Sequence, residues 1–461
     1  MKIPSFIKVI PGLLMTSACF VPSFARAAEE RPNIIVLFAD DLGYADLGCQ
    51  GSQEVKTPRI DSLAAEGVRC TDAYVTAPMC SPSRAGILTG RYQQRFGYEF
   101  NLGVTHTMSK GLDPAEKTIA DRLKTAGYTS GVIGKWDVGA SAPYHPLERG
   151  FDEFYGFLGG SRQHKPATAD MGPFNTMWRN REKVEETEWS SDIYSIEASD
   201  FITRHKDKPF FLYVSYTAPH WPMEAKDEDI APFAHIQDKH RRTLLGLMAG
   251  LDRGVGRVLD TLKEHKLDEK TLVIFLSDNG GATGPQRPSP DAPFQYGINA
   301  SYNTPLRGVK GQLHDGGVRV PFIARWSGKL PAGRVSAAVI SALDITATAT
   351  ALAGLPHDPA LDGIPLVPIL DGSQPAPERS LFWRVGGTSA IRHGAWKLVT
   401  QPDKPAELFH LAEDIGESRD LREQEPARFK ALRDLLIQWS SEMSKPAWPA
   451  EAPMRNPSQP N

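Results

Sequence analysis

Residues 33–38, Asn-Ile-Ile-Val-Leu-Phe, form a short and continuous apolar run that is rich in β-branched side chains. Continuous apolarity of this kind is typical of a strand buried on both faces, as in a parallel sheet. Asp40 and Asp41 follow the run, so two carboxylates are expected at the carboxyl end of this strand. The stretch therefore predicts an α/β protein with its first strand inside a covered sheet.

The rest of the chain alternates predicted strands and helices. This alternation predicts an α/β fold with a large central, mostly parallel sheet flanked by helices. A smaller C-terminal antiparallel sheet plus helix is expected after it, and residues 139–190 and 281–309 are interpreted as long surface loops. The predicted strands are 68–75, 128–134, 209–216, 271–276 and 318–326, then 381–385, 390–393, 396–400 and 407–411; the predicted helices are 58–67, 118–127, 192–205, 239–265, 344–354 and 425–443.

The amino terminus predicts export. Lys2 and Lys8 precede a mostly apolar run at 9–24 and a small-x-small site at Ala25-Arg26-Ala27, as in a secretory signal, so the mature chain is expected to begin near Ala28 and to be periplasmic or secreted. A membrane anchor is the weaker interpretation because the run is short and interrupted, and no later stretch is apolar enough to span a bilayer. The predicted organisation is a signal at 1–27, a large domain at 28–370, a smaller one at 371–445 and a Pro-rich tail at 446–461. Residues 444–461, with five prolines, are expected to be loosely held.

The composition and charge of the chain argue against one class of binding partner. The chain has 461 residues, 41% of them hydrophobic, with a formal net charge of -3 and no block of Lys and Arg, which argues against nucleic-acid binding. Once the signal is removed, Cys49, Cys70 and Cys80 remain, an odd number for an oxidising compartment. A disulfide between Cys49 and Cys70 is conceivable, and one thiol must stay unpaired or be chemically used.

The segment Cys80-Ser81-Pro82-Ser83-Arg84 is predicted to begin a helix, because Pro82 suits a first helical turn. Cys80 would then lie at the positive end of the helix dipole with Arg84 one turn away, and both features favour an anionic group. The alternative interpretation is a small buried residue before an ordinary helix.

Four predicted strands end in polar residues, and in open α/β sheets the ligand crevice lies outside those ends. Two of these strand ends carry four oxygen-bearing side chains, those of Asp40, Asp41, Asp278 and Asn279, which are suitable ligands for Ca²⁺ or Mg²⁺. Ca²⁺ is favoured if the protein supplies most of the ligands. Two lysines next to glycines would face a ligand, and a histidine would serve as a general acid. These residues are Asp40, Asp41, Asp278 and Asn279 for the metal, Lys135 and Lys310 for the ligand and His220 for the acid, with Arg307, His314, His145, His164 and Trp221 as weaker candidates for substrate contacts.

These motifs give the chain a family resemblance. It resembles the formylglycine-dependent (type I) sulfatases of the alkaline phosphatase superfamily, in particular exported bacterial members related to arylsulfatases. The matching motifs occur in the family's order between residues 31 and 326, and the C-terminal segment 407–411 fits as well. They are Cys80-Ser81-Pro82-Ser83-Arg84 with 85–91, Asp40-Asp41, Gly134-Lys135-Trp136, Ala218-Pro219-His220, Ser277-Asp278-Asn279-Gly280, Lys310-Gly311 and 316–321.

The resemblance implies a mechanism. Cys80 would be converted by a maturating enzyme to formylglycine, whose hydrated aldehyde attacks sulfur. One Ca²⁺ would be bound by the four oxygen-bearing residues and the modified Cys80, while Arg84 steadies the formylglycine. Lys135 and Lys310 would hold the sulfate oxygens, and His220 would protonate the leaving alcohol.

One position departs from the family pattern Gly-Lys-Trp-His-x-Gly. Here Asp137 stands in the place of the histidine that is thought to take the proton during sulfate elimination. A carboxylate is able to accept that proton, but its charge should weaken sulfate binding unless a cation offsets it. Our hypothesis is an active enzyme in which Asp137 serves as the base.

The expected function is hydrolysis of a sulfuric ester, with a sulfated carbohydrate preferred over a simple aryl sulfate because of the long polar loops. Three alternatives stay open at this point: a phosphonate or phosphate ester hydrolase of the same superfamily, a non-catalytic protein that binds sulfated glycans because Asp137 prevents turnover, and an α/β protein whose Cys80 is never modified.

Overall fold

The computed structural model describes Met1 and residues 31–166, 171–283 and 298–450. The chain divides into two units, Met1–Glu30 and Arg31–Asn461, and every element named below lies in the second. The predicted signal, apart from Met1, and residues 451–461 of the predicted tail lie outside the described residues. Within the described parts of the chain, no helix combines the length and apolarity needed to cross a membrane.

The strands follow the predicted order closely. They are β1 (Asn33–Ala39), β2 (Val68–Cys70), β3 (Ala73–Tyr74), β4 (Thr129–Lys135), β5 (Glu153–Phe157), β6 (Met177–Arg179), β7 (Glu182–Val184), β8 (Phe210–Ser215), β9 (Thr271–Ser277), β10 (Phe322–Arg325), β11 (Arg334–Ser336), β12 (Ile340–Ser341), β13 (Ser380–Val385), β14 (Thr388–His393), β15 (Trp396–Gln401) and β16 (Lys404–His410).

The α-helices of the described residues include those that cover the two faces of the main sheet and a last one that packs on the small C-terminal sheet. They are α1 (Pro58–Ala65), α2 (Cys80–Thr89), α3 (Gly103–His106), α4 (Ile119–Lys124), α5 (Gly172–Asn175), α6 (Ser190–His205), α7 (Asp227–Ile230), α8 (Lys239–Glu264), α9 (Asp315–Val318), α10 (Asp344–Leu352), α11 (Val367–Leu370) and α12 (Pro426–Ser441).

The main sheet places the apolar run at 33–38 near its centre. In the described residues it has ten strands in the order β11-β2-β10-β9-β1-β8-β4-β5-β6-β7, and the neighbours from β9 to β5 are parallel. Ala39 is in register with Ser277, and Phe38 with Ser215, so β1, β8 and β9 end at the same edge. The predicted mostly parallel α/β sheet is therefore confirmed, with antiparallel strands towards both sides.

Alternate side chains of β1 enter two different hydrophobic cores. Ile34, Val36 and Phe38 pack on the face covered by α2, α4 and α10. Ile35 and Leu37 pack on the opposite face, which α1, α6 and α8 cover. Burial of both faces explains why the strand is apolar at every position, and why the polar residues begin only where the strand ends.

Two predictions, a long loop at 139–190 and a single strand at 68–75, are wrong. The interval 139–190 contains β5, which pairs in parallel with β4 inside the sheet, and β6 and β7, which extend it. The sequence does not indicate β5 because Gly156 lies within it, and glycine is a poor strand former. A Cβ there would lie 1.9 Å from the Gly134 carbonyl oxygen, so the close backbone approach requires glycine. The predicted strand at 68–75 is divided into β2 and β3, which join separate sheets.

The C-terminal part matches the predicted meander and helix. Strands β13 to β16 form an antiparallel sheet, and Leu432, Leu436 and Trp439 of α12 belong to the hydrophobic cluster that covers it. The boundary near residue 370 stays a prediction.

Two further expectations need correction. Residues 444–450, expected to be loosely held, are docked, because Trp448 is buried and packs 4.7 Å from the Tyr98 ring. Cys49 and Cys70 are both free thiols, so the conceivable disulfide between them is not formed.

Candidate active site at the carboxyl ends of the strands

Helix α2 begins at Cys80, as the sequence predicts. The preceding Met79 is extended (φ -144°, ψ 150°), and every residue of the helix is buried. The Cys80 Sγ lies 3.5 Å from Asp40 Oδ1 and 4.0 Å from Asp41 Oδ1. Burial raises the pKa of the Cys80 thiol well above its ordinary value, even though two lysines oppose the shift. The unmodified side chain is therefore a poor source of a thiolate nucleophile.

The predicted carboxylates meet beside Cys80. Asp40 and Asp41 directly follow β1, and Asp278 directly follows β9. Asp41 has a φ of +63°, and its backbone N–H donates to Asp278 Oδ1 at 3.1 Å. Burial raises the pKa of Asp278. Burial also raises that of Asp40, but Lys135 and His220 outweigh it and hold the pKa at about 2.

Each carboxylate has a cationic partner from another element. The Lys135 Nζ donates to Asp40 Oδ2 at 2.7 Å, and the Lys310 Nζ donates to Asp41 Oδ2 at 2.8 Å. The Arg84 guanidinium donates to Asp278 Oδ2 at 2.7 Å. Three predicted cations therefore surround the start of α2.

His220 follows β8 and faces the same group. Its Nε2 lies 3.6 Å from Asp41 Oδ2, and its Nδ1 contacts the Trp221 carbonyl oxygen. Burial lowers the pKa of His220, and Asp40 partly opposes that effect. Because a carbonyl oxygen can only accept a hydrogen bond, Nδ1 must be protonated and donate to Trp221. Nε2 is therefore the ring nitrogen available to the site.

Asp137 also belongs to this group. Its Oδ2 lies 3.5 Å from the Lys135 Nζ, which supplies the offsetting cation. Burial raises the pKa of Asp137, so the neutral form is favoured relative to an exposed aspartate. A Cβ at Gly160 would lie 2.8 Å from Asp137 Oδ1, so glycine there leaves room for the carboxylate.

The donor set fits a hard divalent cation. Four residues each offer one possible ligand atom, and these atoms all lie within 4.8 Å of one another. They are carboxylate oxygens of Asp40 and Asp41, the Cys80 Sγ and a ring nitrogen of His220. The Asn279 Nδ2 donates to Asp41 Oδ1 at 2.7 Å, whereas the buried Asn279 Oδ1 has no hydrogen-bond partner among the residues that the structure describes. A buried amide oxygen without a partner is costly unless something else binds it. Carboxylate and amide oxygens are the ligands that Ca²⁺ prefers.

The weaker candidates for substrate contacts differ in whether they contact the site around Cys80. His164 is buried and binds the His220 carbonyl oxygen at 2.9 Å, so it contacts the backbone of the site. His145 packs 5.4 Å from the Phe154 ring, away from the group described above. Arg307 and His314 both contact Glu407 of β16.

Two residues of the site were missed by sequence reasoning. The Ser215 Oγ, at the end of β8, accepts a hydrogen bond from Arg84 at 2.5 Å. The Asn299 Nδ2 donates to the carbonyl oxygens of Asp41 and Pro219. Ser215 has the same position at its strand end as the predicted polar residues, whereas Asn299 lies in an interval with no periodic signal.

This fold and this site define a family. The sequence model of the Sulfatase family matches residues 32–355, and the chain belongs to that family. The protein is a sulfatase with the fold of the alkaline phosphatase superfamily, as the motifs from Asp40 to Lys310 predict.

Named relatives extend this result. The chain is 34% identical to the N-acetylgalactosamine-6-sulfatase of Canis lupus familiaris, over 81% of this chain and 72% of that protein. It is 30% identical to the N-acetylgalactosamine-6-O-sulfatase of Bacteroides thetaiotaomicron, over 94% and 98%. The crystal structure of Ps i-CgsB in complex with k-i-k-neocarrahexaose has a TM-score of 0.84 and 35% identity, over 91% and 95%.

Proposed function

We propose that this sulfatase hydrolyses a sulfated carbohydrate through a formylglycine made from Cys80 and one bound Ca²⁺. The observation that carries the proposal is the position of Cys80, whose Sγ lies 3.5 Å from Asp40 Oδ1 among paired carboxylates and cations. A thiol whose pKa is raised by burial is unsuited to attack, whereas a hydrated aldehyde at the same position supplies a hydroxyl nucleophile.

Asp40, Asp41, Asp278 and Asn279 would hold the cation, together with the modified residue 80. When bound, Ca²⁺ supplies the positive charge that makes a hydroxyl at residue 80 more acidic and therefore more nucleophilic. The Asn279 Oδ1, which has no partner among the described residues, and the Asp40 and Asp41 carboxylates, which lie beside Cys80 and His220, support this role.

The cationic side chains prepare the site for an anion. Arg84 is fully buried and is fixed by Asp278 and Ser215, so it holds the first turn of α2 in place. Lys135 and Lys310 place two ammonium groups beside Cys80, where they would bind sulfate oxygens. Because these charges are already in position, they need not reorganise as charge develops during the reaction.

Two groups would move protons. His220 would donate from Nε2 to the oxygen of the leaving alcohol in its doubly protonated form, which the neighbouring Asp40 and Asp41 carboxylates favour, since its Nδ1–H is already bonded to Trp221. Asp137 would accept a proton in the later step that releases sulfate. The Lys135 Nζ at 3.5 Å lets a carboxylate stand there without leaving an unpaired negative charge beside the substrate.

A cleft beside Lys310 supports a saccharide substrate. It has a volume of about 850 Å³, and Val309 and Gln312, on either side of Lys310 in sequence, are among its lining residues. Its walls carry charges of both signs, from Arg307, Lys404 and Arg422 and from Glu407 and Asp420, and Arg307 and Arg422 are paired with these carboxylates. A polar cleft of this size suits a sulfated sugar better than a small aryl sulfate. The carbohydrate sulfatases and the carrahexaose complex among the relatives support the same choice.

Export and maturation complete the proposal. The signal-like segment at 1–27 would direct the chain to the periplasm or outside the cell, and a maturating enzyme would oxidise Cys80.

Release of inorganic sulfate from defined substrates tests the function. The matured protein is assayed on 6-sulfated N-acetylgalactosamine, sulfated galactan oligosaccharides, 4-nitrophenyl sulfate and a phosphonate monoester. We expect the highest kcat/KM on a sulfated saccharide. Preference for the phosphonate ester would favour the related hydrolase activity, and saccharide binding without sulfate release would favour the non-catalytic alternative.

A further inference from the structure

The backbone around His220 is held by buried side chains from two other segments. The Asn299 Nδ2 donates to the Pro219 carbonyl oxygen at 3.1 Å and to the Asp41 carbonyl oxygen at 2.8 Å. The His164 Nε2 binds the carbonyl oxygen of His220 itself at 2.9 Å. An amide NH₂ has two hydrogens, so Asn299 supplies one to each carbonyl. One side chain thus joins the segment after β1 to the segment after β8.

The orientation of Asn299 is fixed by its own oxygen. Its side chain is fully buried, and Oδ1 accepts hydrogen bonds from the Ser301 Oγ at 2.5 Å and from the Ala282 N–H at 3.2 Å. Rotation of the amide by half a turn would place its oxygen against two carbonyl oxygens and leave the donors of Ser301 and Ala282 without their acceptor. Such buried unsatisfied groups are costly, so the amide nitrogen stays directed at Asp41 and Pro219.

We propose that Asn299 is a positioning residue that fixes His220 relative to Asp41 for proton donation to the leaving group. The inference rests on the proposed role of His220 as the acid. The His220 Nε2 lies 3.6 Å from Asp41 Oδ2, and Asn299 restrains the backbone of Asp41 and of the residue that precedes His220. A displacement of His220 by about 1 Å is enough to reduce proton transfer strongly.

Asn303 offers a matched control in the same loop. Its Oδ1 accepts from the Gly281 N–H at 2.9 Å, and its Nδ2 donates to the carbonyl oxygens of Gly281 at 3.0 Å and Gly308 at 3.3 Å. Like Asn299 it is buried and binds backbone, but it holds the segments next to Asn279 and Lys310. Its loss should weaken sulfate or metal binding in the same way for every leaving group.

The test compares N299A, N303A and H220A on one substrate series. Sulfate esters are chosen with leaving groups from 4-nitrophenol, which departs without a proton, to a sugar alcohol, which requires one. For N299A we expect kcat/KM to fall on both esters because the Asp41 backbone is loosened, and to fall by about 100-fold more on the sugar sulfate than on 4-nitrophenyl sulfate, because general acid catalysis contributes 10²–10⁴-fold. For N303A we expect kcat to fall by the same factor on both substrates, and any additional loss on the sugar sulfate to appear in KM, because Asn303 also lines the cleft proposed for the saccharide.

The outcomes separate this inference from the proposed function. If H220A depends steeply on the leaving group and N299A does not, the positioning role is wrong and the acid role stands. If H220A itself shows no such dependence, His220 is not the acid and the inference falls with it, whereas sulfate release by the parent enzyme still supports the sulfatase. Should N299A fail to fold, N299S, which is polar, uncharged and too short to reach both carbonyl groups, is compared in its place, with the same dependence required.

Discussion

The ammonium of Lys135 lies 3.5 Å from the Asp137 carboxylate, in the position where the family pattern has a histidine. The same Nζ lies 2.7 Å from Asp40 Oδ2, so one lysine joins Asp137 to the proposed metal site. Lys135 therefore offsets part of the Asp137 charge, and burial raises the pKa of Asp137, which favours its neutral form relative to an exposed aspartate. These contacts explain how a carboxylate is compatible with an anionic substrate and leave it able to accept a proton.

Replacing Asp137 with Asn should separate the two halves of the reaction. The amide keeps the shape of the carboxylate but accepts a proton poorly, so we expect steady-state kcat to fall by about 100-fold, as for loss of a general base. Because the proposed base acts after the alcohol has left, rapid mixing should show a burst of alcohol without matching sulfate. D137H should recover much of the turnover, and D207N, at an exposed site, should leave it unchanged. Unchanged kcat in D137N would exclude Asp137 from the mechanism.

Calcium should stabilise the protein as well as activate it. A ligand that binds only the folded state stabilises it by about 2.7 kcal/mol at a concentration 100-fold above its Kd. We therefore expect chelation to lower Tm and remove activity, and added Ca²⁺ to restore both. D41N should weaken the Ca²⁺-dependent rise in Tm, while D207N should retain it. A Tm that does not respond to Ca²⁺ would contradict the metal assignment.

The residues at the strand ends of this site can be predicted because the signal lies in the neighbouring residues of the same strand. Strand β1 is apolar throughout since both its faces are buried, and Asp40 and Asp41 begin where that burial requirement ends. The same reasoning finds Lys135 and Asp278 at the ends of β4 and β9. Parallel pairing then brings these ends together without any information beyond the order of elements.

Other features depend on contacts between distant segments, and the sequence carries little signal for them. Strand β5 contains Gly156, whose benefit is close packing against Gly134 rather than strand propensity. Asn299 acts on carbonyl groups of residues far away in sequence, and any polar loop residue would look similar. The docking of Trp448 depends on the Tyr98 ring, which only the folded chain places nearby.

A buried ion-pair cluster should contribute strongly to stability. The Lys397 Nζ lies 2.6 Å from Asp315 Oδ1 and 3.0 Å from Glu417 Oε1, and all three side chains are fully buried. Replacing Lys397 with Met leaves the buried Glu417 without its cation and Asp315 with Arg319 alone, and breaking a buried pair in this way typically costs about 3–5 kcal/mol in the free energy of unfolding. K404M, at an exposed position on β16, should change it by less than about 0.5 kcal/mol. Equal effects of the two variants in denaturant titrations would argue against the cluster's importance.

The same cluster should make stability depend on pH through Glu417. Burial raises the pKa of Glu417 from its ordinary value of 4.5 to about 7 in the folded protein. The folded state then binds more protons than the unfolded state between these values, so this group's stabilisation is complete below pH 4.5 and is lost as pH rises towards 7. Its contribution to the slope is at most about 1.4 kcal/mol per pH unit.

Denaturant unfolding at several pH values compares the parent with E417Q. We expect the free energy of unfolding of the parent to decrease relative to that of E417Q as pH rises from 4.5 to 7. A constant difference between the two proteins over this range would show that Glu417 does not titrate there.

Conversion of Cys80 is the central claim, and the tryptic peptide of residues 70–84 tests it most directly. This peptide carries both Cys70 and Cys80, so Cys70, a buried thiol, serves as an internal control for alkylation. In protein from the native host, mass spectrometry after denaturation and alkylation should show Cys70 alkylated and residue 80 as an aldehyde that reacts with a hydrazide instead. Alkylation of both cysteines in active protein would contradict the account.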